Sequence, residues 1–351
     1  AAAGAGCDED TGDDDSTPEP LDIARDGLNP ADANPDVYPR TPFLVRFTTP
    51  AESANITVAD GVSGDPVAGT TETTPCGRQV VFQPSAPLER GHGYTLSVQA
   101  VGGEDRDDVT LEGEVETSDT GDPLDHPQTL DNRAYTVDLS TIRPVTPVIP
   151  AELLEGIEQK NILVGIMGLD PTTGSLEVIG AIADDPYGTD HYCTESIEFP
   201  TSEFLPTEDP YIDLGAVDIT VPLGGFDIEI FGVHLRGTFT SDGSAFDGVR
   251  LSGTPDTSGL EALLEDEGDP CELLQTVAGI DCDPCPDDGA VTCVPVDLVD
   301  LGGAEAADPL HAIAADQTEN HLCGNCVDGV DNDNDGLLDD NELECHSDVW
   351  P

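Results

Sequence analysis

The segment that most constrains how this chain can fold is the acidic run of residues 331–342, Asp-Asn-Asp-Asn-Asp-Gly-Leu-Leu-Asp-Asp-Asn-Glu. Oxygen donors stand at positions 1, 3, 5, 7, 9 and 12 of a twelve-residue loop, and Gly336 stands at position 6, where the chain must turn sharply. This spacing brings the oxygens around one point, and calcium is a hard cation that takes six to eight of them. The sequence therefore predicts a Ca2+ site. Its ligands would be Asp331, Asp333, Asp335, Leu337 through its carbonyl, Asp339 and Glu342.

The flanks of this loop predict a covalent clamp rather than a pair of helices. Residues 323–330 carry two glycines and no helical pattern, while Cys326 and Cys345 bracket the ligands. We therefore expect a disulfide-clamped loop that does not open as a calcium sensor does. The stretch from Cys326 to Cys345 resembles the Asp-rich calcium repeats of secreted bacterial surface proteins and, more loosely, thrombospondin type 3 repeats. That resemblance implies an extracellular or cell-surface protein.

The charge of the chain limits its partners. Seventy-three Asp and Glu residues face eleven Lys and Arg residues, which gives a formal net charge of −62. Nucleic acid and anionic membrane surfaces are excluded as partners because the chain would repel them. Two explanations of the charge stay open. Calcium could bridge carboxylates in an extracellular setting, or acidic side chains could hold a hydrated surface as an adaptation to salt.

Ten cysteines indicate an oxidising compartment. Four of them crowd one short region, where two local disulfides are expected. The four are Cys271, Cys282, Cys285 and Cys293. Two alternatives treat the Cys282–Cys285 and Cys323–Cys326 pairs as zinc ligands or as redox pairs. Structural disulfides are favoured, because the two pairs lie far apart in sequence and neither follows a strand of a βαβ unit.

The first residues leave two interpretations of Cys7 open. Ala5-Gly6-Cys7 partly resembles a bacterial lipoprotein processing site, although Gly4 stands where leucine is usual. The even number of cysteines favours a secreted chain in which Cys7 is paired, for example with another subunit. Neither a transmembrane span nor a signal peptide is predicted.

An acidic, proline-rich segment, residues 1–30, should be disordered on its own. Residues 31–120 alternate apolar and polar positions between turns, which predicts β-strands. The clearest are Phe43–Phe47, Ile56–Val58, Gln79–Phe82 and Tyr94–Val98. The run from Phe82 to Val98 follows the pattern Phe-x-Pro-x-x-x-Leu-x-x-Gly-x-x-Tyr-x-x-x-Val and resembles bacterial Ig-like domains of surface proteins. The resemblance implies a β-sandwich that spaces or presents other modules.

Residues 121–301 predict a larger β-rich domain with a cysteine-rich end. Its expected strands are Ala134–Leu139, Asn161–Met167, Leu176–Ile182, Val217–Val221, Phe226–Val233 and Leu235–Phe239. Its expected short helices are Pro150–Ile157, Leu260–Leu264 and Glu272–Val277. Residues 302–322 are predicted to form a linker, and residues 323–351 are predicted to form the calcium-binding tail. The predicted fold class is therefore mainly β: an Ig-like β-sandwich, a larger antiparallel β-rich domain with a few short helices, and a calcium-clamped tail.

No familiar catalytic motif is present, and the seven histidines are scattered. We therefore expect a non-enzyme: an extracellular structural protein stabilised by calcium and disulfides. It would self-assemble as a homo-oligomer or polymer into a filament, sheath or surface layer. One alternative is a monomeric, lipoprotein-like surface protein that binds a small apolar or saccharide ligand. Another is a secreted hydrolase.

Overall fold

The chain is built mainly from antiparallel β-strands. The computed structural model describes residues 20–29, 37–74, 77–103, 106–118, 120–139, 143–146, 161–170, 173–184, 189–190, 195–223, 226–259, 269–278, 280–307 and 309–313. The first ten strands are β1 (Ile23–Asn29), β2 (Phe43–Phe47), β3 (Ser53–Asp60), β4 (Gly69–Thr73), β5 (Gln79–Pro84), β6 (Gly93–Val101), β7 (Val109–Glu116), β8 (Ala134–Asp138), β9 (Arg143–Thr146) and β10 (Asn161–Asp170). The others are β11 (Ser175–Asp184), β12 (Thr189–Asp190), β13 (Ile197–Glu198), β14 (Ser202–Glu203), β15 (Tyr211–Leu223), β16 (Phe226–Phe239), β17 (Ala245–Pro255), β18 (Asp283–Pro284), β19 (Val291–Cys293) and β20 (Val296–Glu305). A short 3-10 helix (Pro127–Leu130) and an α-helix, α1 (Pro270–Ala278), accompany them. The predicted mainly β fold class is confirmed.

The chain divides into two compact units, and each unit is built from three separate ranges of the sequence. The first takes residues 1–120, 143–150 and 260–300, and the second takes residues 121–142, 151–259 and 301–351. The division falls inside β20, between Asp300 and Leu301. Asp300 has a φ of 57°, in the left-handed region, and its Oδ1 accepts a hydrogen bond of 2.6 Å from Thr41 Oγ1 of the same unit.

In the first unit, two antiparallel sheets form a β-sandwich. One sheet has the order β1-β2-β5-β4, and the other has the order β3-β6-β7. Alternate residues of β6 are buried, among them Leu96 and Val98, because side chains on a strand point to opposite faces. They meet Phe43 and Val80 of the other sheet in one hydrophobic cluster. Each fully buried side chain of this size stabilises the fold by about 1.5–3 kcal/mol relative to exposure.

Part of the acidic N-terminal segment belongs to this sandwich. Strand β1 pairs with β2, and Leu21 is buried in the same hydrophobic cluster. Residues 1–30 are expected to be disordered on their own, because β1, with Asp26 and Gly27, has little apolar character. Pairing with β2 supplies a partner that the sequence does not indicate. Residues 1–19, including Cys7, lie outside the described residues.

In the second unit, a long antiparallel sheet has the order β12-β11-β10-β8-β20-β17-β16-β15. Its centre holds an aromatic cluster in which the Phe239 ring lies 5.4 Å from Tyr135, 5.8 Å from Phe204 and 5.0 Å from Phe246. Tyr135 donates its hydroxyl to the Gly243 carbonyl at 2.8 Å, so the buried phenol is satisfied. Burial raises the pKa of Tyr135.

The predicted strands of this unit are present, and two of them merge. Phe226–Val233 and Leu235–Phe239 are both parts of β16. The expected linker at residues 302–322 is not supported at its start, since β20 continues to Glu305, and Leu310 and Ile313 are buried. The predicted helix at Glu272–Val277 is found as α1.

The other predicted helices, at residues 150–157 and 260–264, lie outside the described residues. Within the described part of the chain, no helix is long and apolar enough to cross a membrane.

Candidate functional site

The predicted calcium ligands lie in a part of the chain that the structure does not describe. Residues 314–351 are outside the described ranges, so the Ca2+ site rests on its sequence spacing alone. The six residues concerned are Asp331, Asp333, Asp335, Leu337, Asp339 and Glu342. The described residues hold two disulfides and two clusters of charged side chains.

A disulfide-linked segment, residues 269–294, is the clearest such feature. Cys271 bonds to Cys282 across a separation of eleven residues, and Cys285 bonds to Cys293 across eight. The prediction of two local disulfides is therefore confirmed. Zinc binding or a redox role by Cys282 and Cys285 as a pair is wrong, because each sulfur is bonded to a different cysteine. The other six cysteines lie outside the described residues.

The first disulfide is positioned by helix α1. Asp269 precedes the helix and caps it, since its Oδ1 accepts the Cys271 N–H at 2.8 Å. Pro270 occupies the first helical position, where its fixed φ is favourable and the missing N–H is not needed. Leu274 then faces Ile280 and Val294 in a small hydrophobic cluster. This segment therefore combines three buried apolar side chains with two covalent cross-links.

Acidic residues near the second disulfide do not make a calcium site. A carboxylate oxygen of Asp287 and one of Asp288 lie within 4.8 Å of Cys285 Sγ and of each other. The Cys285 sulfur is held in a disulfide, so it cannot act as a thiolate ligand. Two exposed carboxylates fall short of the six to eight oxygens that calcium takes.

A histidine–carboxylate pair joins the end of β3 to the loop before β6. His92 Nε2 lies 2.7 Å from Asp60 Oδ2, and its Nδ1 lies 3.9 Å from Glu89 Oε2. Asp60 Oδ1 also accepts the backbone N–H of Ser63 at 2.6 Å and that of Val62 at 2.8 Å. The hydrogen bonds from Ser63, Val62 and His92, in that order of effect, lower the pKa of Asp60 from 3.8 to about 2.

This pair is suited to holding a turn rather than to catalysis. The hydroxyl of Thr117 contacts the His92 backbone, accepting its N–H at 2.9 Å and donating to its carbonyl at 3.1 Å. The same hydroxyl also donates to the Glu89 carbonyl. These bonds leave the hydroxyl committed to the backbone, so the network fixes the turn after β3 against the loop before β6.

A second charged cluster lies on β15 and β16. Asp213 Oδ1 is 3.1 Å from Arg236 Nε and 3.6 Å from His234 Nδ1. Arg236 stands directly opposite Arg250 of β17 in the strand register. Like charges directly opposite one another destabilise a sheet, and Asp213 offsets this for Arg236. The Asp213–Arg236 ion pair therefore joins β15 to β16, beside Arg250 of β17.

Neither charged cluster could be predicted from the sequence. Asp60 and His92 are 32 residues apart, and Asp213 and Arg236 are 23 apart, so only strand pairing brings them together. With 73 acidic residues, no carboxylate stood out. The turn-forming pattern Asp60-Gly61 was the one local signal, since Asp side chains commonly accept backbone N–H groups two or three residues later.

Comparison with known proteins finds no family model and no curated protein that matches the chain. Among solved structures, CopC from Methylosinus trichosporium OB3b is 17% identical, over 28% of this chain and 93% of that one, with a TM-score of 0.24. The N-terminal part of the bacterial S-layer protein SbsC is 11% identical, with a TM-score of 0.23. The cycloalternan-forming enzyme from Listeria monocytogenes is 11% identical, with a TM-score of 0.16.

These structural matches differ in how much they cover. The SbsC match covers 51% of this chain and 43% of that one, and the cycloalternan-forming enzyme match covers 64% and 21%. At these TM-scores the likenesses carry no argument about function, so the proposals below rest on residues of this chain.

Proposed function

We propose that the chain is an extracellular structural protein, stabilised by calcium and disulfides, that assembles with copies of itself into a filament, sheath or surface layer. The observation that supports the proposal is that one chain combines two short-range disulfides with a segment whose sequence has the spacing of a calcium-binding loop. Short-range disulfides join residues 271–293, and the twelve-residue loop at residues 331–342 has calcium-ligand spacing. Disulfides persist in oxidising, extracytoplasmic compartments, where calcium is also abundant enough for weak sites to fill.

Charge supports a role for calcium in assembly as well. Copies that each carry a formal charge of −62 repel one another over a Debye length of about 8 Å at physiological ionic strength. Sodium chloride screens this repulsion, but calcium also bridges carboxylates by direct coordination. The candidates for bridging are the acidic runs of residues 8–10 and 13–15 and Asp328 beside the calcium loop. Assembly should therefore depend on calcium more than on ionic strength.

Negative-stain microscopy of the native protein tests the proposal directly. Regular filaments or sheets are expected in millimolar calcium, with loosening after chelation that sodium chloride at equal ionic strength does not reverse. A protein that stays monomeric in millimolar calcium contradicts the proposal and favours the monomeric surface-binding alternative. An assembly that survives prolonged chelation with unchanged order and melting temperature shows that calcium is not the link between subunits.

A matched pair of variants separates the calcium loop from general acidity. Glu342→Ala removes the residue that would bind calcium with both oxygens, whereas Glu344→Ala removes an equal charge two residues away, outside the ligand positions. The loop is expected to bind calcium with a dissociation constant on the order of 10⁻⁴–10⁻³ M, as extracellular modules do. Calorimetry should show loss of this binding in Glu342→Ala and its retention in Glu344→Ala. Equal binding by the two variants contradicts the ligand assignment.

A further inference from the structure

The edge strands of the described sheets differ in how they are protected. An edge strand exposes unpaired N–H and C=O groups, and proteins prevent unwanted pairing with charges, bulges, prolines or covering segments. Strand β7 carries Glu112, Glu114 and Glu116 along its exposed face. Strand β15 has two register shifts, and β1 has one. The edge of β3 is met by the Val67 N–H, which bonds to the Val58 carbonyl at 2.8 Å.

Among the described residues, strand β4 has fewer of these protections than the other edges named above. It is an edge strand of the four-stranded sheet, and all five of its residues, Gly69–Thr73, are exposed. Its pairing with β5 runs through five consecutive residues without a register shift. The strand contains no proline, and Glu72 is its one charged residue. The chain has a formal charge of −62, but this strand edge carries only one charge.

The hydrogen bonds at both ends of β4 show which backbone groups face outward. Ala68 accepts the Ser85 N–H at 2.9 Å, and Thr74 donates to the Gln79 carbonyl at 2.9 Å. Bonding directions alternate along an antiparallel strand, so the even-numbered residues from 68 to 74 face β5. Gly69, Thr71 and Thr73 therefore point their N–H and C=O groups away from β5. The Thr71 side chain donates a long bond, 3.4 Å, to the Ile56 carbonyl, a contact that does not involve the Thr71 backbone groups.

We propose that β4 is a pairing edge for β4 of a second copy of this chain, in an antiparallel register centred on Thr71. The inference rests on the proposed self-assembly and names one contact surface for it. In this register Thr71 stands opposite Thr71 of the second copy, Gly69 opposite Thr73, and Thr70 opposite Glu72. The two Glu72 carboxylates are therefore never directly opposed, and the central Thr–Thr pair is favourable across antiparallel strands. The same twofold arrangement on β7 would set glutamates against glutamates.

Cysteine cross-linking tests the register. Residues of a hydrogen-bonded antiparallel pair have Cα atoms about 5.5 Å apart, which lies within the range of a disulfide. Thr71→Cys should therefore give a covalent dimer under mild oxidation, seen on a non-reducing gel and lost on reduction. Val62→Cys is the matched control, because Val62 is 87% exposed in a turn and belongs to no edge. Dimer formation by Thr71→Cys that is no faster than by Val62→Cys overturns the proposal.

A proline variant shows whether backbone pairing causes the dimer. Thr73→Pro removes an N–H that points away from β5, so the sandwich should keep its circular dichroism spectrum. The double variant Thr71→Cys/Thr73→Pro is expected to lose the cross-linked dimer. A dimer that persists in the double variant overturns strand pairing. If filaments form but Thr71→Cys does not cross-link, β4 pairing is contradicted and the proposed function stands. If Thr71→Cys cross-links into a dimer but no polymer forms, β4 pairing stands and the proposed function is contradicted.

Discussion

The β-sandwich and the disulfide-linked segment of residues 269–294 achieve order in different ways. Among the described residues, the sandwich buries fifteen apolar side chains in one cluster, whereas the segment buries three and adds two disulfides. Small clusters cannot offset the entropy of ordering the chain, and cross-links reduce that entropy in the unfolded state. Among the described residues, the disulfides are therefore found where buried apolar side chains are few.

The largest expected effect comes from opening a cavity in the sandwich. Phe43 is fully buried, and its ring centroid lies 6.2 Å from that of Phe82. Phe43→Ala should lower the free energy of unfolding by about 3–5 kcal/mol. Urea denaturation followed by circular dichroism measures this change. Val62→Ala, at a site that is 87% exposed, should change it by less than about 0.5 kcal/mol. Equal effects of the two variants would contradict the assignment of the sandwich core.

The next effect should be confined to the disulfide-linked segment. Replacing Cys285 and Cys293 by Ala removes a short covalent loop and should destabilise the segment by about 2–3 kcal/mol. Hydrogen exchange should then increase in residues 280–294 and stay unchanged in β6. Equally increased exchange in β6 would show that the two regions unfold together, and the comparison would fail.

Exposure predicts the order in which the two disulfides are reduced. Cys285 and Cys293 are 4% and 0% exposed, whereas Cys271 and Cys282 are partly exposed. A limiting amount of reductant should therefore open Cys271–Cys282 first, because access controls the reaction. Alkylation and peptide mass spectrometry identify the cysteines that are released. Earlier labelling of Cys285 would contradict this order.

A smaller effect is expected at the cap of α1. Asp269→Ala leaves the Cys271 N–H without its side-chain acceptor and should cost about 1 kcal/mol of local stability. Asp269→Asn keeps an oxygen at the same place and serves as the control. Hydrogen exchange in α1 should be faster in the alanine variant than in the asparagine variant. If both variants match the parent protein, the two disulfides alone hold this helix.

The smallest expected effects are on the pH dependence of stability, and one residue in each unit changes it in the opposite direction to the other. Hydrogen bonds lower the pKa of Asp60 from 3.8 to about 2, whereas burial raises the pKa of Asp247 above 3.8. The stability contributed by Asp60 is fully present above pH 3.8 and is lost as the pH falls through about 2. Asp247 behaves oppositely, because its folded state prefers the protonated form and loses stability as the pH rises through its folded pKa.

The melting temperatures of the Asp60→Asn and Asp247→Asn variants, measured between pH 2 and pH 7, test whether the two carboxyl groups affect stability in opposite directions. The asparagine at residue 60 should destabilise the protein most near neutral pH and least at the acidic end. The asparagine at residue 247 should be neutral or stabilising near pH 7, since it can still accept the Gly303 N–H. Parallel pH profiles for the two variants would contradict the assigned causes.

Strands with a clear apolar alternation could be predicted from the sequence, and the others could not. Phe43–Phe47 was predicted with the bounds that β2 has, because its buried residues are strongly apolar. Strand β4 was missed because Gly-Thr-Thr-Glu-Thr contains no apolar residue and depends on β5. Strand β7 was missed because Gly113 interrupts the apolar positions between its glutamates.

Candidate sites whose residues are close in sequence could be predicted, and sites that form only through strand pairing could not. Two disulfides were predictable because four cysteines lie within 23 residues, although four cysteines allow three pairings and the sequence does not choose among them. The Asp60–His92 pair was not predictable, because it depends on the register of β3 with β6. The calcium loop could be predicted because all its ligands lie within one twelve-residue segment, and it stays a prediction because none of them is among the described residues.

The position of β20 across the division of the two units has a consequence for biosynthesis. Thr136 of β8 pairs with Ala304, and Thr41 bonds to Asp300, 259 residues later. A nascent chain therefore cannot complete either unit until the ribosome has passed residue 300, and such high contact order slows folding. At about 5–20 residues per second, early strands wait many seconds with open edges. A premature stop codon before residue 296 would therefore disable both units, not just the later one.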